Sequence, residues 1–347
     1  IWKELQDTIF KAGEKPLRFL RYFILSHYKV EILREDEIYG WFSDHQEICG
    51  YADAPLRFAK ELLDAAHAYG YFLRGCDLSG KQRPELESLQ YLGGSAARQH
   101  LVLLLAGRHM PEDLFSKLVR EVENLFFVYV ITRENTRNFE RKFAQWAPEL
   151  RAIQTEADLN AFLQQRIAPE KASLSGRFDD AFNRMDSDAL QVYRLRYVLA
   201  KLNQHLEICA HGETEGTRWL KHYADSTYEI EHIHPQNPCP EALAEFGEAT
   251  DPNVTNKLGN LVLLEKPINA SLGNKPYSQK KLVYPQSQIL LVKGISEQTK
   301  IGVNTRIDRA VSSIKPFGTW NESSVLARQA MLGSMAHIIW NVPVQQQ

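Results

Sequence analysis

Cysteine is scarce in this chain, and its placement excludes two architectures. The four residues, Cys49, Cys76, Cys209 and Cys239, form no C-x-x-C pair, so neither a disulfide framework nor a thiolate zinc knot is written here. A reducing, cytoplasmic setting suits them. No apolar run reaches the roughly 18 residues that span a bilayer, and Ile1-Trp2-Lys3-Glu4 lacks the order of a signal peptide. Nor is there an excess of charge of one sign. With 41 Lys and Arg against 43 Asp and Glu, the whole chain has no field that advertises a nucleic-acid partner. A polyanion must therefore be met by a local patch. Internal repeats are missing too, and the only biased tract is the closing Gln345-Gln346-Gln347, which reads as a frayed end. Residue 1 is not Met, so the chain reads as a piece of a longer protein.

At 347 residues and 44% hydrophobic, the chain is long enough for two cores. The expected fold class is mainly α with a small β component, divided into a helical domain over 1–185 and a second domain over 186–347. Leu114, Leu118, Val122, Leu125 and Tyr129 recur at spacings of three and four, which predicts a helix with one buried stripe. Phe58, Leu62 and Ala66, then Leu195, Leu199, Leu202 and Leu206, repeat the pattern. Asp186 and Ser187 stand where an N-cap would start the last of these helices. Breaks fall at Gly75 to Pro84, Gly93-Gly94 and Gly107 to Pro111. Gly75 to Lys81 has the glycine and lysine spacing of a phosphate-binding loop, but Gln82 stands where Ser or Thr is needed and Pro84 obstructs a following helix. It reads as a turn.

The texture changes after His211-Gly212-Glu213. Tyr228 to Ile233 and Gly259 to Leu264 are short apolar or β-branched runs bounded by Pro, Asn or Gly, and they predict two strands. Pro235, Pro238 and Pro240 argue against a helix just after the first run, leaving an acid-rich loop with Glu241, Glu245, Glu248 and Asp251. Helix is expected again at about Pro267 to Tyr284 and from Ser323 to Trp340.

The run Glu231-His232-Ile233-His234-Pro235-Gln236 is followed by Gly259-Asn260-Leu261-Val262-Leu263-Leu264 and then by Asn269. These elements resemble those of HNH (His-Me finger) nucleases, in the version found at the C-terminus of GmrSD-like restriction proteins. The resemblance extends through Asn274-Lys275-Pro276-Tyr277 and Lys280-Lys281 to Trp320-Asn321 and Arg328. It implies a ββα-metal core at about 228–284 that hydrolyses phosphodiesters of DNA, with Mg²⁺ or Mn²⁺ as cofactor. His232 would be the general base, Glu231 and Asn269 the metal ligands, and Asn260 the residue that ties the finger together and orients the His232 ring. Pro16 to Ser26 looks like the region that follows the nucleotide-hydrolysing, modification-sensing domain of such proteins, a domain whose motif is absent from this sequence. The resemblance thus implies the effector part of a bacterial anti-phage restriction factor acting on modified phage DNA. Double-strand cleavage by a one-site finger would favour a homodimer.

The residue chemistry runs alongside. Phosphodiester cleavage needs an activated water and stabilisation of the charge that develops on phosphate, and a hard cation held by few oxygen ligands supplies the second. Glu231 and His232 point to opposite faces of a strand, so both reach one site only if the strand twists or ends there, as Pro235 allows. Between Asn256 and Gln347, eleven Lys and Arg face four Asp and Glu, the footprint that phosphate binding requires. Lys275, Lys280 and Lys281 lie nearest the site and are the expected phosphate contacts, with Gln236 and His234 as further substrate contacts. Two other readings stay open. His232 and His234 share a strand face and would suit a zinc hydrolase with His222 or Glu229 as third ligand, or the finger is an inactive relic in a helical interaction module.

Overall fold

A computed structural model describes residues 1–94, 97–212, 220–224, 226–297 and 302–344. Gln345 to Gln347, and with them the expected frayed end, lie outside the described residues, as does Glu213. The chain divides into two compact units, Ile1–Leu174 and Ser175–Gln347. Among the described residues no helix is long and apolar enough to cross a membrane.

The first unit is helical throughout. The stripe Leu118, Val122, Leu125 and Tyr129 lies buried on the helix Glu112–Ile131, while Leu114 at its start stays half-buried. Leu101–Gly107 is apolar on every side and correspondingly buried on every side. It packs against the helices Pro16–His27 and Thr136–Ala152. Two buried charges show their partners. The buried Glu14 carboxylate accepts from the Tyr69 hydroxyl at 3.0 Å and lies 3.3 Å from Arg18 and 3.6 Å from Arg98. Lys171, 1% exposed, sits 2.8 Å from Glu121. The segment from Gly75 is a turn: the Asp77 carboxylate accepts from the amides of Ser79 and Lys81 at 2.9 and 3.0 Å. A helix does follow it, Pro84–Gly93. Pro84 obstructs nothing, because at the first helical position its missing N–H has no intrahelical partner to lose.

In the second unit the break comes earlier than 185/186, because the helix Ser175–Asn183 packs on Glu322–Ile339. Asp186 is not the cap of the next helix, which runs Val192–His211 with Gln191 at its N-cap. The Asp186 carboxylate instead closes a turn, accepting from the backbone amides of Asp188 and Ala189 at 3.0 and 2.7 Å, and it also accepts from Asn253 Nδ2 at 2.7 Å. Two strands, β1 (Tyr228–His232) and β2 (Leu261–Glu265), pair antiparallel with Glu231 opposite Val262 and His232 opposite Leu261. β2 is buried through Leu261–Leu264, as its unbroken apolar run requires.

The acid-rich connection between the strands carries a helix, Pro240–Phe246. Pro240 starts it where the sequence reading expected the prolines to forbid one, again because proline is tolerated at the first helical position. The helix expected over Pro267 to Tyr284 is two pieces, Lys266–Leu272 and Tyr277–Lys280. Gly273, with φ +51°, and Pro276 separate them. The first piece packs on both strands. Leu290–Ser296 and Arg306–Val311 are further short helices that periodicity did not announce.

Candidate active site

The end of β1 is fastened by one side chain. Asn260, fully buried, accepts at Oδ1 from the His234 amide at 2.8 Å and from Trp320 Nε1 at 2.9 Å. Its Nδ2 donates to the carbonyls of His234 and Thr255 at 2.9 and 2.7 Å. Its own carbonyl takes the Ile233 amide at 2.9 Å. Every hydrogen-bonding position of the amide is therefore spent on backbone and tryptophan. Asn260 does tie the two strand ends together, but the expected bond to the His232 ring is not among its contacts.

The helix Glu322–Ile339 clamps the same turn. Arg328 Nη1 donates to the carbonyls of Gly259 and Leu261 at 2.8 and 2.9 Å, and Gln329 Oε1 accepts from the Gly259 amide at 2.5 Å. A Cβ on Gly259 would stand 2.2 Å from the Val325 carbonyl oxygen, so only glycine fits the approach. Burial draws the Arg328 guanidinium down to about 10, the cost of a cation with backbone oxygens for company.

On β1, Glu229 and Glu231 share one face and His232 takes the other. Lys280 reaches across from Tyr277–Lys280, donating from Nζ to Glu231 Oε1 and, at 2.8 Å, to the His232 carbonyl. It is 0% exposed, against 14% for the Glu231 side chain. Burial pushes the Glu231 carboxyl up and the Lys280 ammonium down, each opposed by the attraction of its partner. Lys280 is thus no surface phosphate contact: its charge is committed to the protein interior.

The His232 ring has a buried Nε2 with no hydrogen-bond partner. Burial, then the neighbouring Lys280 charge, holds its pKa down to about 4, so the imidazole is neutral near pH 7 with a lone pair to offer. Asn269 faces Glu229, donating from Nδ2 to its carboxylate at 2.8 Å; Lys266 stands 3.9 Å from the other oxygen. The amide is therefore joined to the neighbouring acid on the Glu231 face of β1, two residues along the strand. No contact joins Asn269 to Glu231 or to His232 among the described residues.

The other expected contacts scatter. His234 is buried and stacked on Phe246, centroids 4.0 Å apart. Gln236 is exposed and donates to Asn256 Oδ1 at 3.2 Å. Lys275 is exposed and bonded to the Ser271 carbonyl at 2.8 Å; Lys281 is half-buried. Among the described residues no group of three or more His, Cys, Asp or Glu side chains is arranged to hold an ion. The donor chemistry on the β1 face still fits one kind. Glu229, Glu231 and the Asn269 carbonyl are hard oxygens, suited to a cation such as Mg²⁺ that keeps most of its water and takes one or two protein ligands.

Residues 174–335 match the model of the family described as GmrSD restriction endonucleases, C-terminal domain. The second unit is a GmrSD-like domain. That makes it a domain of restriction-endonuclease type, and the matched span contains every residue of the site just described. A comparison with curated proteins finds no match. Sequence reasoning missed two partners in this GmrSD-like domain, Glu229 as the anchor of Asn269 and Lys280 as the buried counter-ion of Glu231. The alternation of Glu229 and Glu231 along one strand was the available signal for the first.

Proposed function

We propose that the GmrSD-like domain is a metal-dependent DNA endonuclease of the HNH, or His-Me finger, type. The observation that carries this reading is the His232 ring: a neutral imidazole with an unpartnered Nε2, at the end of a strand whose other face bears the hard-oxygen set. With the ring proton on Nδ1, Nε2 would accept a proton from a water brought to it to attack phosphorus. Asn260 fixes the backbone on which the ring stands. Glu231, with Asn269 steered by Glu229, would hold a Mg²⁺ or Mn²⁺ ion. When bound, such an ion supplies charge stabilisation to the phosphate and to the departing oxygen. Lys275 and Lys281 would meet neighbouring phosphates of the backbone, which carry no sequence information and suit a cutter.

In a longer protein the domain would act as the effector of a modification-dependent restriction system against phage DNA, licensed by a nucleotide-hydrolysing sensor domain. Plasmid nicking by the chain with Mg²⁺ or Mn²⁺ tests the core of the proposal. His232→Ala is expected to lower the rate about 10²- to 10⁴-fold, the range typical of a lost general base, with the circular dichroism spectrum unchanged. Undiminished nicking by the variant would overturn the assignment.

A further inference from the structure

The charges on the β1 face cancel. Glu231 is paired with Lys280 and Glu229 with Lys266, and Asn269 is neutral. Of the two lysines, Lys266 stands in solvent with its side chain 53% exposed, whereas Lys280 is wholly enclosed. Its ammonium donates both to the Glu231 carboxylate and to the His232 carbonyl.

A divalent cation arriving at Glu231 therefore meets a carboxylate whose charge is already neutralised, beside a buried like charge that water screens poorly. Glu229, the other acid of the set, accepts from Asn269 and stands 3.9 Å from Lys266, so among the described residues the set carries no net negative charge. A DNA phosphodiester supplies one: each phosphate brings one negative charge and a hard oxygen to the open side of the cation. Resting on the nuclease reading above, we infer that Lys280 makes the cation site conditional on DNA, so that metal and duplex bind cooperatively and the DNA-free domain holds its metal weakly. Linkage requires the converse, with the cation strengthening duplex binding by the same factor.

The test is a titration with Mn²⁺, read by the electron paramagnetic resonance of the free ion. It is run on the full chain carrying His232→Ala so that a short duplex survives. The duplex is expected to tighten Mn²⁺ binding about tenfold or more. Adding Lys280→Met should tighten Mn²⁺ binding in the absence of DNA by about tenfold and shrink the gain from duplex, while Lys280→Arg, which keeps the charge, should retain that gain. Equal Mn²⁺ affinity with and without duplex overturns the proposal, as does a Lys280→Met chain that folds yet binds Mn²⁺ no tighter. Should the Met variant fail to fold, the duplex comparison on the parent chain decides alone. The nuclease reading fails separately. A chain with His232 in place that binds duplex, measured by fluorescence anisotropy, and never nicks it with Mn²⁺ sinks that reading. Nicking with uncoupled Mn²⁺ affinity sinks only the coupling.

Discussion

Among the described residues, each unit of the chain buries one lysine against a glutamate. In the first, Lys171 meets Glu121 at 2.8 Å, joining the helices Ala168–Ser173 and Glu112–Ile131. In the second, Lys280 meets Glu231 on β1. The chemistry of the two pairs is the same, so the pair itself says nothing of function. The surroundings differ. For Lys171 the contact is Glu121; around Lys280 lie the His232 carbonyl, an imidazole nitrogen with no partner and, two residues along the strand, a second acid holding an amide. A buried ion pair by itself is weak grounds for stability and weaker ones for catalysis. What marks a site is unspent hydrogen-bonding capacity beside it.

Breaking the two pairs gives the largest effect and separates the two roles. Lys171→Met and Lys280→Met each leave a carboxylate without its partner, and each is expected to cost about 3–5 kcal/mol, read from urea midpoints. The loss at Lys171 should be the smaller, because Glu121 is 21% exposed and Glu231 14%. Removing the partner as well, in Glu121→Gln with Lys171→Met and in Glu231→Gln with Lys280→Met, should restore most of the stability in both units. Plasmid nicking then divides them: the first double variant cuts at the parent rate, and the second falls by about 10²-fold or more as an oxygen ligand is lost. Equal nicking by both would make the Glu231 pair a strut like its counterpart.

The difference between the two pairs was only half legible in the sequence. β1 and β2 were, because their runs are short, apolar and bounded by turn formers, and Asn260 announced itself by its place between Gly259 and a buried strand. Lys280 was not. Beside Lys281 and near Lys275 it has the look of a solvated helix face, and its burial is decided by Glu231, 49 residues away. The helix at Pro240 was hidden for a related reason, since proline argues against helix everywhere except the one position it occupies there. Short helices such as Leu290–Ser296 have too few turns to show a period, so their existence rests on packing that a single sequence does not display.

Acid sharpens the comparison, with a smaller effect. His100 of the first unit is fully buried with Nδ1 unpartnered, and burial, then Arg98, draws its pKa down to about 3; His27, drawn down by burial and then by Arg108 and Arg151, falls to about 4. In the unfolded chain both take a proton near 6.5. The unfolded state thus binds more protons over that window, and the stability these rings contribute is complete above about pH 6.5 and is lost as pH falls toward 4 and then 3. Urea midpoints of the first unit's transition should drop from pH 7 to pH 5, and His100→Leu should flatten the slope. An unchanged slope in that variant would remove His100 from the account.

The smallest expected effect lies on the surface. Lys280 and Arg328 are buried, so two of the basic residues that raised the local charge of the second unit face no solvent, and phosphate contact falls to residues such as the exposed Lys275 and the half-buried Lys281. Lys275→Ala and Lys281→Ala should each weaken duplex binding modestly and lower the slope of log affinity against log salt by about 0.9, the value for one phosphate contact on B-form DNA. Lys29→Ala, an exposed lysine of the first unit, should leave that slope alone. Anisotropy titrations over a range of salt concentrations read all three. Were Lys29 to matter as much as Lys275, the duplex would be meeting the chain through general surface charge, and the second unit would have no privileged face for DNA.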